Sequence, residues 1–166
     1  MMVMEYEGTT MDISLQRADL TSQPVQELIA ALNAELSGVY PEPGANHFGL
    51  DPADVAPGRG VFLVAYRDGR PVGCGAMRLL DSKTGELKRM YVEPALRGAG
   101  IGRRLVEALE AEARRLGAVS LVLETGTRQA DALALYARCG FKRIPLYGEY
   151  CLSPATSICL GKPLDS

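Results

Sequence analysis

The chain has 166 residues, a net charge of −2 and 47% hydrophobic against 23% charged residues. That is the length and balance of one folded domain with a core of its own, and it excludes global disorder and fibrous repeats. No dense Lys/Arg run supplies the electrostatic footprint of a nucleic-acid binder, no apolar run approaches the ~20 residues of a membrane span, and the acidic start Met1–Glu7 lacks the blocks of a signal peptide, so the expected location is cytoplasmic.

Thr10–Arg17 alternates apolar Met11, Ile13 and Leu15 with polar neighbours and is predicted as a strand. Asp19, Thr21 and Ser22 are candidate N-caps for a helix whose apolar residues Val25, Leu28, Ile29, Leu32 and Leu36 recur at three-and-four spacing and which ends near Gly38. Residues 38–60 hold four prolines and five glycines, so at most a short helix begun by Asp51-Pro52 fits there. Val61–Arg67, a turn at Asp68-Gly69, Pro71–Leu80, a polar turn and Gly85–Val92 read as a three-stranded meander. From Gly100 the period becomes helical, with Ile101, Leu105, Leu109, Ala113 and Leu116 on one face and Gly117 as the stop. Val119–Leu123 is a short apolar strand, Ala130–Cys139 a helix closed by Gly140, and Phe141–Ile144 and Thr156–Leu160 supply two more strands. The expected fold is a single α/β (α+β) domain over residues 1–166: a mixed, mostly antiparallel central sheet of about six to seven strands flanked by about four helices.

Arg97-Gly-Ala-Gly-Ile-Gly102 joins an apolar strand to a long amphipathic helix. Small residues there allow backbone N–H groups to approach a ligand, and a helix N-terminus adds unpaired donors and partial positive charge, so the turn suits a phosphate or pyrophosphate, with Arg97 and Arg103 as added charges. The alternative is a tight strand-to-helix turn without a ligand. A dinucleotide fingerprint would need glycine at Arg103, and the P-loop pattern has no match.

These motifs together are where the sequence resembles a known family. Leu87–Val92, the R-x-x-G-x-G turn at 97–102, and Ala132-Leu-Ala-Leu-Tyr-Ala-Arg-Cys-Gly-Phe141 follow one another as in the GNAT superfamily of acetyl-CoA-dependent N-acetyltransferases. The resemblance covers nearly the whole chain and implies acetyl-CoA as cofactor, with CoA as product. It places the pantetheine arm along the strand residues Met90, Tyr91 and Val92, and the pyrophosphate on Arg97, Gly98, Ala99, Gly100, Ile101, Gly102 and Arg103. Ala132 and Tyr136 lie in its helix motif. Gln129 stands where many members carry Asn, which changes the amide that meets the arm.

Acetyl transfer to an amine needs a base for the ammonium, stabilisation of the carbonyl oxygen, for which a bulged backbone N–H at Met90 is the candidate, and an acid for the leaving thiolate. The resemblance makes Tyr136 the acid, against an ordinary core tyrosine. Glu86 and Glu124 are the candidate bases, against strand-end carboxylates. The single histidine, His47, and cysteines at 74, 139, 151 and 159 without CxxC spacing offer neither a nucleophile–histidine design nor a metal site, and no metal is expected. Tyr40, Asn46 and His47 on one loop, Tyr147 and Tyr150 on another, and Arg89 are candidates for holding a small amine-bearing substrate or peptide, with Arg78 and Arg89 either holding a carboxylate of the acceptor or decorating a sheet face; an amino acid, a small polyamine or drug-like amine, and a protein N-terminus all stay open as acceptors. His47 is equally a loop-packing residue. Neither nucleic acid nor membrane is an expected partner; an exposed edge of such a sheet offers a contact for a homodimer. The competing reading is a non-catalytic CoA-binding sensor or interaction module, which would need neither acid nor base.

Overall fold

The structure is a computed structural model that describes residues 2–5, 12–41 and 50–164. Eight strands form one sheet: β1 (Met2–Glu5), β2 (Asp12–Arg17), β3 (Gly60–Arg67), β4 (Arg70–Leu79), β5 (Thr84–Val92), β6 (Ser120–Gly126), β7 (Lys142–Ile144) and β8 (Ser157–Pro163). Among the described residues three α-helices accompany them: α1 (Gln23–Val39), α2 (Ile101–Arg115) and α3 (Ala130–Arg138). The mixed, mostly antiparallel α/β architecture agrees with the sequence reading. The fourth helix expected at Asp51-Pro52 is a short 3-10 turn, Pro52–Val55, and two further 3-10 turns span Pro94–Leu96 and Gly148–Leu152. A four-residue stretch opened by proline has no room for α-helical i→i−4 bonds beyond its first turn.

The strand order is β1-β2-β3-β4-β5-β6-β8-β7. All pairs are antiparallel except β5 with β6. The β3–β4 hairpin turns at Asp68 (φ 51°) and Gly69 (φ 78°), the two positive-φ positions that a tight right-twisting hairpin demands. Helix α1 starts after Ser22, with Pro24 in its first turn.

The sheet is covered on both faces. On one, Leu105, Leu109 and Ala113 of α2 pack on Leu63, Met77, Leu87, Leu121 and Leu123. On the other, Val25 and Leu28 of α1 pack on Phe62, Val64, Cys74 and Ala76. The period of two along β5 and β6 therefore sends Leu87, Leu121 and Leu123 into the α2 core, and it turns Glu86, Lys88 and Glu124 to the α1 side. Among the described residues no helix is long and apolar enough to cross a membrane.

Candidate active site

The site arises from a failure of pairing. Parallel strands β5 and β6 are in register at four positions only, Thr84–Leu87 with Ser120–Leu123. Past Leu87 and Leu123 they part, and the opening is a cleft bordered by Lys88, Arg89 and Met90 on one strand and by Glu124, Thr125 and Gly126 on the other. On its other side β5 bulges. Cys74 pairs with Tyr91 and Ala76 with Lys88, so Gly75 alone faces both Arg89 and Met90. Arg89 takes a left-handed φ of 59°. Its carbonyl accepts the Cys74 thiol at 3.3 Å; burial pushes that thiol up to about 12, so it remains a donor. A Cβ on Gly75 would lie 2.4 Å from Met90 Sδ, and its absence lets the bulged methionine lie flat on β4.

Downstream of β5 the chain reaches α2 through Gly98 (φ 84°) and Gly100 (φ 90°), both left-handed. Gly100 is the N-cap of α2, and among the described residues no side chain caps the helix, so its first-turn N–H groups and positive end are placed where a ligand can meet them. Space beside Gly98 is open. Gly102 differs, because a Cβ there would meet Leu135 Cδ2 at 2.9 Å; it serves the close approach of α2 to α3. The two arginines of the turn face carboxylates of the chain itself. Arg97 donates to both oxygens of Glu35 on α1 (2.8 and 3.0 Å) and to the Val92 carbonyl, and its guanidinium lies over the Tyr91 ring. Arg103 pairs with Glu107 one turn on.

Inside the cleft, the buried Tyr136 of α3 packs edge-on to Phe141 at 5.7 Å. Burial pushes its phenol well above the ordinary tyrosine value, so it is protonated at every physiological pH. Glu124 accepts the Ser157 hydroxyl at 2.7 Å. Burial raises its carboxyl above the usual range against the opposing pull of that hydrogen bond and of Lys88. Glu86 is 1% exposed and stands behind the wall of the cleft rather than on it. Its two oxygens accept Arg78 Nε at 2.9 Å and the Tyr147 hydroxyl at 2.5 Å, and Arg78 reaches on to Asp54 at 3.1 Å.

Residues 25–141 match the model of the Acetyltransferase (GNAT) family. The chain belongs to the GNAT acetyltransferase family. It is 41% identical over 154 residues to a protein named IAA acetyltransferase from Azospirillum brasilense, covering 92% of this chain and 99% of that one. A Klebsiella pneumoniae crystal structure, provisionally described as an acyl-CoA N-acyltransferase, superimposes with a TM-score of 0.78 at 33% identity over 92% of this chain and 98% of its own. A GNAT acetyltransferase from Elizabethkingia anophelis with acetyl-CoA bound shares the fold at a TM-score of 0.67 and 19% identity, over 92% and 98% of the two chains.

Acetyl-CoA is the acyl donor of GNAT enzymes, and the residues present here fit such a group: a splayed strand pair for an extended arm, then two left-handed glycines and an uncapped helix start for a diphosphate. Gln129 is turned back on its own loop, its Oε1 accepting the Gly126 N–H at 2.8 Å. Ala132 and Gln129 border the cleft. Of the expected acceptor residues, Arg89, Tyr40 and Tyr150 border it, Tyr147 is turned to Glu86, and Asn46 and His47 lie outside the described residues. Arg78 is committed to Glu86 and Asp54. Sequence reasoning missed Lys88 and Ser157. The signal for Lys88 was its place two residues after Glu86 in one strand, hence on the same face; Ser157 meets Glu124 from 33 positions away and carried no local signal.

Proposed function

We propose that this GNAT enzyme, acting as one catalytic domain over residues 1–166, moves an acetyl group directly from acetyl-CoA to a primary amine of a small molecule. The observation that carries the reading is the meeting of Glu124 and Tyr136 in one cleft at the β5–β6 splay. Acetyl-CoA supplies an acetyl group already activated as a thioester. Glu124, whose carboxyl burial raises while Ser157 and Lys88 favour its ionised form, takes a proton from the acceptor ammonium and leaves a neutral nitrogen to attack. The bulge at Arg89–Met90 supplies a backbone N–H at Met90 toward the oxygen that gains charge. Tyr136, neutral through burial, delivers its phenolic proton to the departing sulfur and recovers one from the nitrogen that has been acylated. One proton is released to solvent for each amide formed. Backbone at Gly98, Gly100 and the first turn of α2 holds the diphosphate, with Arg97 anchored to Glu35 beside it.

Between the two candidate bases the geometry favours Glu124. It borders the cleft, whereas Glu86 has both oxygens engaged behind the wall. The test is release of free thiol from acetyl-CoA on addition of amines, with mass detection of the acetylated product. Amine-stimulated release supports the reading, and tight CoA binding without release across a broad amine panel would instead leave a CoA-binding module.

A further inference from the structure

The acceptor cleft carries opposite charges on its two strands. Lys88 and Glu124 are the first residues beyond the last paired positions, Leu87 and Leu123, and by the strand period both turn to the α1 face. They are therefore the nearest facing pair across the opening. The Lys88 side chain is only 5% exposed. Its ammonium has three N–H donors and, among the described residues, makes one hydrogen bond, to the Tyr150 hydroxyl at 3.1 Å. Glu86 and Glu149 oxygens stand at 3.9 and 3.8 Å, near enough to balance charge but beyond hydrogen-bond reach. A buried ammonium with donors to spare at a cleft wall calls for an anionic acceptor atom.

The bulge adds a second cation to that wall. In a regular strand Arg89 would turn to the opposite face from Lys88; its left-handed φ of 59° breaks the alternation. Arg89 borders the same cleft, and its guanidinium acts electrostatically on the Tyr150 phenol that Lys88 also meets. Across the gap stands the Glu124 carboxylate. Leu32, Leu36 and the buried Tyr40 close the α1 side with apolar surface.

We propose that the acceptor is a small α-amino acid or a close analogue with an apolar side chain, its carboxylate held by Lys88 and Arg89 and its amine presented to Glu124. The inference rests on the acetyl-transfer reading and names its substrate class. A zwitterion complements both poles of the cleft, whereas a polyamine or aminoglycoside would bring further cations toward Lys88 and Arg89 and carries no carboxylate to meet them.

The experiment compares matched acceptors on the full chain by thiol release and product mass: L-phenylalanine and L-methionine, their carboxamides, their decarboxylated amines, spermidine and kanamycin. The carboxamide has a less basic and the decarboxylated amine a more basic nitrogen than the amino acid, so the two bracket the effect of amine basicity. The expected result is a kcat/KM at least tenfold higher for the amino acid than for either partner, carried mainly by KM. In Lys88→Met the ratio of amino acid to carboxamide collapses toward one, and Arg89→Gln reduces it in the same direction; bound CoA, followed by calorimetry, reports that each variant is folded. Equal or better turnover of the carboxamides, spermidine or kanamycin, or an unchanged ratio in folded Lys88→Met, overturns the proposal and leaves acetyl transfer standing. Tight CoA binding with no acceptor-stimulated thiol release from any member of the panel removes the acetyl-transfer reading itself.

Discussion

Glu124 and Tyr136 approach the cleft from opposite sides of the sheet, and they share it only because β5 and β6 separate beyond Leu87 and Leu123. Glu124 is on the α1 side, while Tyr136 belongs to the core formed with α2, Leu121 and Leu123. Acceptor and thioester can thus enter from different faces and meet at a gap in the hydrogen-bond ladder. In the proposed mechanism the arrangement separates the base that would meet the amine from the acid that would meet the sulfur.

Replacing Tyr136 by Phe keeps the ring that packs on Phe141 and removes the proton. Turnover is expected to fall roughly 100-fold, the typical scale of general-acid loss, while the dissociation constant for CoA changes less than about threefold. Steady-state kinetics with calorimetry checks both, and an unaltered turnover number removes Tyr136 from the reaction.

The base assignment has a pH signature. A base works ionised, so activity appears as pH rises through its titration, and burial places that rise for Glu124 above the ordinary carboxylate range. Ser157 donates to the ionised form and holds the value down. Ser157→Ala should therefore move the acidic limb of the kcat/KM profile to higher pH, and Glu124→Gln should lower activity by about 100-fold or more and abolish that limb. A limb that stays in place in both variants assigns it to another group.

Glu86 is expected to answer differently. Its carboxylate is nearly inaccessible and binds Arg78 and Tyr147, so Glu86→Gln leaves a half-buried guanidinium with Asp54 alone. Breaking one partner of a buried pair costs about 3 kcal/mol, read as a lower midpoint in urea unfolding, with the acidic limb of the rate profile unshifted. A shifted limb at undiminished stability would restore Glu86 as the base.

The motifs at 87–92, 97–102 and 132–141 were legible because each is local: a strand, a turn and a helix face report themselves within a few residues. The same locality hid the rest. Nothing near Met2–Glu5 announces a strand, since its pairing partner is Asp12–Leu15 in β2 and four residues carry too little period. Glu124 lay past the predicted end of its strand at Leu123, because polar Glu124 and Thr125 interrupt the apolar run although the backbone stays paired with β8 through Gly126. Arg97 reads as a phosphate ligand until Glu35, 62 residues earlier, is seen to hold it. Contacts set by chain reversal leave no periodic trace, and the chemistry of this cleft is built largely from them.

Two glycines near the site separate conformational from steric need. At Gly98 the φ of 84° is unfavourable for any residue with a Cβ, yet space around it is open; Gly98→Ala should cost about 1 kcal/mol through backbone strain and weaken CoA severalfold by tilting the turn. Gly126 has no such φ, and its demand is space. A Cβ would fall 1.8 Å from the Tyr40 hydroxyl and 2.8 Å from Gln129 Oε1, where the Tyr40 oxygen accepts the Arg128 N–H at 2.6 Å. Gly126→Ala must push Tyr40 out of its buried seat and break both the Arg128 and Gln129 hydrogen bonds. The expected loss is about 3 kcal/mol, in the range of overpacking with a severed polar contact, and is measured as a fall in unfolding midpoint. Because Tyr40 lines the end of the cleft proposed for the acceptor, KM for the amine should rise in Gly126→Ala more than KM for acetyl-CoA, whereas Gly98→Ala should reverse that order. Equal effects on both substrates in the two variants would mean that the ends of the cleft are not separately bound.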